Sequence, residues 1–172
     1  VILKNHILEA AYKSPVRFDV ETVFGDLVKI GERLKPYITN VSLEIDEAIS
    51  KKQFLVFEGA QGSLLDISHG NYPYVTSSHT VAGFACVSAG FSPKAVDTVL
   101  GICKAYSTRV GSGPFPTEDK GADGEVLRVV GKEFGTVTGR PRRCGWFDAM
   151  AVRRTLRLSG VESVVLTKLD VL

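Results

Sequence analysis

No stretch of this sequence approaches the roughly 20 consecutive apolar residues that a helix needs to cross a bilayer, so no membrane span and no membrane partner is expected. Cysteine is scarce: Cys86, Cys103 and Cys144 are odd in number and widely spaced. That argues against a disulfide framework and against a zinc ribbon, and it fits a reducing, cytoplasmic setting. A surplus of one charge is also missing. Lys and Arg number 21 against 19 Asp and Glu, for a net charge of +2, so the chain as a whole does not read as a nucleic-acid binder. The opening Val1-Ile2-Leu3-Lys4-Asn5-His6 lacks the long apolar core and small-residue cleavage site of a signal peptide. Internal repeats and low-complexity segments are absent. None of His6, His69 and His79 has a partner at metal-ligand spacing, so each reads as structural or peripheral and no metal site is expected here.

What is present suits one domain of ordinary size. The 172 residues are 44% apolar and 23% charged, enough to bury most of the apolar surface without covalent staples. The first residue, Val1, is not a methionine and sits in a helical pattern, and the last, Leu172, closely follows a motif at a strand end. Both ends therefore read as cut from a longer protein.

The first 53 residues read as a helical segment. Asp19 is a candidate N-cap, followed by Val20, Val23, Phe24, Leu27, Val28 and Leu34 at helical spacing. Pro36 ends that run. Ile38, Val41, Ile45, Ala48 and Ile49 suggest another helix. From residue 54 the pattern changes. Phe54-Leu55-Val56-Phe57 reads as a buried strand that runs into a glycine-rich turn, Glu58-Gly59-Ala60-Gln61-Gly62. Residues 71–80 are loop-like and residues 81–89 form a small apolar helix. A strand lies within 96–106, residues 109–117 form a Gly/Pro loop, and Gly121-Ala122-Asp123-Gly124 is a turn. Residues 147–158 form an amphipathic helix capped by Gly160, and Val164-Val165-Leu166 is a strand. Helices alternating with short apolar strands predict an α/β fold with a mostly parallel sheet over 54–172. In such folds ligands bind outside the carboxyl ends of strands, where the 58–62 and 167–170 motifs both fall.

Four segments carry chemistry. In Thr167-Lys168-Leu169-Asp170 a carboxylate can accept both donors on one edge of guanine, and adenine would leave that acceptor unpaired. The lysine stem can lie along the base. The plainer reading is a strand end with solvated charges. In Gly139-Arg140-Pro141-Arg142-Arg143, framed by Thr136 and Thr138, three guanidiniums in four residues suit carboxylate or phosphate capture. A solvated basic loop or a nucleic-acid patch would look the same. Glu58-Gly59-Ala60-Gln61-Gly62-Ser63 lets a ligand approach the backbone, and Gln61 can orient a reacting oxygen. It is not a P-loop, because no Gly-Lys-Ser/Thr follows, and a tight turn is the bland alternative. Tyr106-Ser107-Thr108-Arg109-Val110-Gly111-Ser112-Gly113-Pro114 could line a nucleotide pocket or serve as a crossover loop.

Together and in this order, these segments resemble the adenylosuccinate synthetases. The resemblance is carried by Phe57 to Asp66, His69 to Ser78, Gly101 to Gly111 with Gly113 to Glu118, Thr138 to Trp146, and Thr167 to Leu172. It runs from Phe54 to Leu172 and implies a P-loop-NTPase-like architecture. It also implies a magnesium-dependent, cytoplasmic, homodimeric ligase of purine biosynthesis. In that family GTP phosphorylates the 6-oxygen of IMP, and the amine of L-aspartate displaces the phosphate. By resemblance, Gln61 is the catalytic group beside the IMP 6-oxygen. Thr76, Val110 and Arg140 also face IMP. Thr136, Val137, Thr138, Gly139, Arg140, Pro141 and Arg142 form the aspartate loop. Arg142, Lys168, Leu169 and Asp170 read GTP.

The family's N-terminal phosphate loop, its catalytic aspartate and histidine, its magnesium contacts and its C-terminal guanine lid are not among these residues. The Mg2+ ligands are expected outside this chain, and the isolated chain is expected to be inactive. His79 stands where the family more often has asparagine. Two other readings remain: a non-catalytic guanine-nucleotide-binding module, and RNA binding through the arginines from Arg140 to Arg157, which lack interleaved aromatics.

Overall fold

Asp19 opens a helix in the way its position predicts, with its carboxylate accepting the Thr22 backbone N–H at 2.8 Å. The computed structural model describes residues 1–136 and 139–172. It divides the chain into two units, Val1–Glu44 and Ile45–Leu172.

The first unit contains helix α1 (Ile2–Ala10), helix α2 (Val20–Leu34) and the start of α3 (Val41–Ser50). The Asn5 side chain clamps Phe18 by donating to its carbonyl at 2.8 Å and accepting its N–H at 2.9 Å. Pro36 stops α2 as expected, and a single 3₁₀ turn, Lys35–Tyr37, follows. The apolar face of α2 is not buried.

The second unit holds two small sheets. Strand β1 (Leu100–Lys104) pairs in parallel with β4 (Ser163–Thr167), with Cys103 opposite Leu166. Strand β2 (Ser107–Arg109) pairs antiparallel with β3 (Arg143–Gly145), with Thr108 opposite Cys144. Helix α4 spans Phe84–Ala89, α5 spans Ala122–Val130 and α6 spans Ala149–Ser159. Asp148 caps α6 by accepting the Ala151 N–H at 2.9 Å, and Gly160 closes it in the left-handed conformation. Leu156 of α6 lies over Gly101 of β1, so closely that a Cβ at Gly101 would approach its Cδ2 at 3.4 Å.

The buried cluster is small: Tyr106, Leu127 and Cys144, with Val171 packed against it. This corrects the expectation that the chain buries most of its apolar surface. Ile102 on β1 is 76% exposed, and Val164, Val165 and Leu166 on β4 are all exposed. Among the described residues this sheet has two strands, and Val161 and Leu156 lie against Gly101 of β1.

Two further expectations are corrected. Residues 54–57 are not a strand; Phe54 is 92% exposed, and no strand of the described residues pairs with them. Their apolar, β-forming composition is real, but a strand needs a neighbour for its backbone groups. Residues 121–124 are the start of α5 rather than a free turn. There Asp119 accepts the Gly121 N–H at 2.6 Å.

Candidate active site

Asp66 organises the first of the site's loops. Its carboxylate is fully buried and accepts backbone N–H groups from Ser68 (2.9 Å), His69 (2.9 Å), Thr80 (2.6 Å) and Val81 (3.4 Å). Burial alone pushes the carboxyl up, but these amide donors outweigh it and hold the group well below the usual carboxylate range. The 71–80 loop is thereby folded back on the 61–66 turn. Thr76 N–H donates to the Leu65 carbonyl at 2.8 Å, and Thr80 Oγ1 donates to the Gly62 carbonyl at 3.0 Å. His79 lies 3.5 Å from Asp66 and packs on Phe84, ring centroids 4.5 Å apart.

Gln61 and Thr76 meet at this junction. Gln61 has φ of 68°, an unusual left-handed backbone for a non-glycine residue. Its Nε2 donates to Thr76 Oγ1 at 3.1 Å, and its Oε1 accepts from Ser78 Oγ at 3.2 Å. Gln61 remains exposed, so its amide is oriented while still open to a ligand.

The 106–114 loop joins this junction through Arg109. The guanidinium lies 5.9 Å from the Tyr74 ring and donates to the Tyr74 carbonyl at 3.5 Å and the Ser112 carbonyl at 3.0 Å. Val110, next along, is 63% exposed. Arg143 braces the same loop. It donates to the Gly111 and Gly113 carbonyls at 3.1 and 2.9 Å, and it takes both oxygens of Glu118 at 2.7 and 2.5 Å. The Arg143 pair holds the Glu118 carboxyl low. Arg143 is thus committed as a structural brace.

Glu133 is the second organising carboxylate. It is 1% exposed and accepts Lys104 Nζ at 2.8 Å, Tyr106 OH at 2.6 Å and Arg142 Nη1 at 2.9 Å. Burial works against its charge, but the Lys104, Tyr106 and Arg142 donors prevail and lower its pKa. Tyr106 is pushed far up by burial and by the adjoining carboxylate. Arg142 also donates its backbone N–H to the Glu133 carbonyl at 2.9 Å. Phe134 bridges to Pro141, Gly135 N–H donates to the Arg140 carbonyl at 2.8 Å, and Gly139 turns with φ of 65°. Thr136, Gly139, Arg140 and Pro141 are exposed along this hairpin-like loop. Val137 and Thr138 lie outside the described residues.

The last segment leaves β4 at Thr167. Lys168 adopts φ of 61° and donates Nζ to the Gly131 carbonyl at 2.8 Å. Leu169 and Asp170 are exposed in the 3₁₀ turn Leu169–Val171, whose Val171 packs on the Tyr106 cluster. The basic loop and the Lys168–Asp170 turn are therefore anchored to the same cluster, one through Glu133 and the other through Gly131. Within the same unit, the Gln61–Thr76 junction is linked to the β2–β3 pair by way of Tyr74 and Arg109.

All 172 residues match the family described as adenylosuccinate synthetase. The chain belongs to that family. The match extends through the helical first 53 residues, beyond the motif-bearing part. The adenylosuccinate synthetase of Synechococcus elongatus is 54% identical over 169 residues, which cover 98% of this chain and 38% of that protein. The Heliobacterium modesticaldum protein is 51% identical across 100% of this chain and 40% of its own length. This chain thus spans about two-fifths of such relatives. The solved structure of a fully ligated Plasmodium falciparum adenylosuccinate synthetase superposes with a TM-score of 0.87 at 36% identity, over 99% of this chain and 40% of that one. Cyanophage S-2L succinoaminodeoxyadenylate synthetase, solved with dGMP and dATP as energy donor, aligns with a TM-score of 0.54 at 28% identity over 63% of this chain. Helices around a parallel strand pair, in the family's arrangement, make this an α/β nucleotide-binding fold.

Motif reading singled out none of Asp66, Glu118, Glu133 or Tyr106 for a role of its own. Asp66 left one signal, polar residues at the second and third positions after it, the pattern of a side chain that caps its own turn. Glu133 left another, a lone acid just ahead of a run of arginines.

Proposed function

We propose that this chain supplies the IMP-, aspartate- and guanine-reading loops of a GTP-dependent C–N ligase that makes adenylosuccinate. The working division is a helical segment over residues 1–53 and a ligand-reading core over residues 54–172. The γ-phosphoryl group of GTP moves to the 6-oxygen of IMP and GDP departs. The amine of L-aspartate then attacks C6, and inorganic phosphate leaves with the oxygen.

The observation that carries this reading is the common anchoring of the two charged loops. Arg142 and Lys168 are fixed to one buried cluster by Glu133 and Gly131. Cations for an anionic substrate and a carboxylate for guanine are thus held on one support. Phosphoryl transfer needs mainly positioning and charge stabilisation. In this scheme Gln61 donates to the IMP 6-oxygen as negative charge develops there, and Thr76 and Val110 hold the nucleotide. Arg140 faces both IMP and aspartate. Thr136, Val137, Thr138, Gly139, Pro141 and Arg142 receive the aspartate, and Arg142 also reaches GTP. Lys168, Leu169 and Asp170 receive guanine. A neighbour is described with dATP as energy donor, and we assign the choice of guanine to Asp170 rather than to the architecture.

Mg2+ is held mainly by one or two carboxylates with substrate phosphates and waters. The buried carboxylates are already committed, Asp66 to backbone amides and Glu133 to cations. Mg2+ is assigned to other parts of the full protein. No described helix is long and apolar enough to cross a membrane. A cytoplasmic homodimer completes the proposal.

The test is a spectrophotometric assay of the full-length protein containing this chain, with IMP, aspartate and GTP. Product that depends on all three is expected. Guanine-nucleotide binding without aspartate-dependent turnover would replace the ligase with a non-catalytic binding module.

A further inference from the structure

Glu133 is charged, almost inaccessible and set back from every residue assigned to a ligand except Arg142. Its neutralisation is over-supplied. Lys104 contacts both of its oxygens at 2.8 Å, and Tyr106 adds a hydroxyl at 2.6 Å. A second cation, Arg142, is therefore not needed to satisfy this one anion. Two cations around one carboxylate leave a net positive charge at the base of the basic loop. The Arg142 Nε is buried and has no partner among the described residues, a donor left over at the same place.

The geometry also fixes where that charge sits. Glu133 and Arg142, at the root of the basic loop, are joined by two links. One is Arg142 N–H to the Glu133 carbonyl, the other Arg142 Nη1 to Glu133 Oε2, each at 2.9 Å. Through Lys104 the root is held at the carboxyl end of β1, the sheet edge at which ligands bind in such folds. A hairpin with its root loosened keeps its residues but loses their aim.

We propose that Glu133 is a positioning residue: its carboxylate holds Arg142 and the loop root against the end of β1 and so sets the affinity for the dicarboxylate amino-acid substrate. This rests on the reading of residues 136–142 as the aspartate loop.

The test uses the full-length protein containing this chain and the substitution Glu133→Gln, which keeps volume and removes the charge. The KM for aspartate should rise about tenfold or more, with kcat within about threefold and smaller rises in the KM for IMP and GTP, which Arg140 and Arg142 also face, the signature of lost ground-state binding. Glu133→Asp should recover part of the loss. With Arg142→Ala in the background, Glu133→Gln should add less than about twofold, because both act through one contact. Should Glu133→Gln fail to fold by thermal melt, Tyr106→Phe removes one of the carboxylate's donors and should raise the same KM about two- to fivefold. An unchanged aspartate KM in a folded variant, or fully additive effects with Arg142→Ala, overturns the proposal and leaves the ligase reading intact. A wild-type protein whose turnover does not depend on aspartate overturns the ligase reading itself. Hydrogen exchange over residues 134–142 separates the two: faster exchange in Glu133→Gln with no aspartate effect means the loop is anchored by Glu133 but does not receive that substrate.

Discussion

Gln61 donates its side-chain amide to the hydroxyl of Thr76 across fifteen residues of sequence, at 3.1 Å, while its carbonyl oxygen takes the Ser78 hydroxyl at 3.2 Å. An amide held from both ends keeps one orientation. That is what a group must have if it is to meet charge appearing on a ligand oxygen without first reorganising.

Replacing Gln61 with Ala in the full-length protein should therefore lower kcat by roughly 10²–10³, the usual loss for one preorganised donor. Initial rates at saturating IMP, aspartate and GTP measure this. A change confined to the KM for IMP would give Gln61 a binding role only.

Asp170→Asn should weaken GTP and relax the choice of base. The asparagine offers one acceptor and one donor where the carboxylate offered two acceptors. Xanthine nucleotides, which carry a carbonyl where guanine has its amine, should gain on GTP by about tenfold or more in kcat/KM. Competition between GTP and XTP in one assay decides this, and an unchanged preference removes Asp170 from the guanine site.

Asp66→Asn tests the fold of the 61–81 region. It exchanges a charged acceptor of backbone amides for a neutral one and should cost on the order of 2 kcal/mol at neutral pH. The pH dependence has a definite sign. Asp66 holds its proton less tightly when folded than at its unfolded value of about 3.9. Its stabilisation is thus complete above about pH 4 and is lost as pH falls through the lower folded value. Urea denaturation between pH 3 and 7 should show the wild type losing its advantage over Asp66→Asn at the acid end.

Gly131→Ala would place a Cβ 2.2 Å from the Tyr106 hydroxyl and 2.4 Å from the Leu127 carbonyl. Something must move, and overpacking of this kind costs about 1–3 kcal/mol. The Gly131 carbonyl also receives Lys168, so the affinity for guanine nucleotide should fall together with Tm. Calorimetric unfolding with and without GTP reads both.

Much of the second unit was legible because local chemistry and tertiary placement agree. Gly160 takes the left-handed cap that the end of α6 requires, and β4 ends where its apolar run meets Lys168. Residues 54–57 were misread because apolar composition reports a wish to be covered and says nothing about whether a partner strand is there. Helix α5 was hidden by Gly121 and Gly124, which read as breakers. Gly124 is buried against the Asp119 carbonyl, so its lack of a side chain serves packing and not a turn.

The candidate loops stood out in sequence because each concentrates glycine, hydroxyls or arginine. Their supports did not. Glu133 is one acid among nineteen Asp and Glu, and only the fold brings Lys104, Tyr106 and Arg142 to it. Arg143 looked the equal of Arg140 and Arg142 until Glu118 claimed it.

The parallel pairing of β1 with β4 carries a kinetic consequence. Leu100 and Ser163 can meet only after everything between them has been gathered in, which includes α5, β3, α6 and the arginine hairpin. Closing a loop of roughly sixty residues is slow relative to forming local turns and helices. β4, which leads into Lys168 and Asp170, should therefore dock late in refolding. A pulse-labelling experiment should find amide protection in β4 lagging behind that in α5.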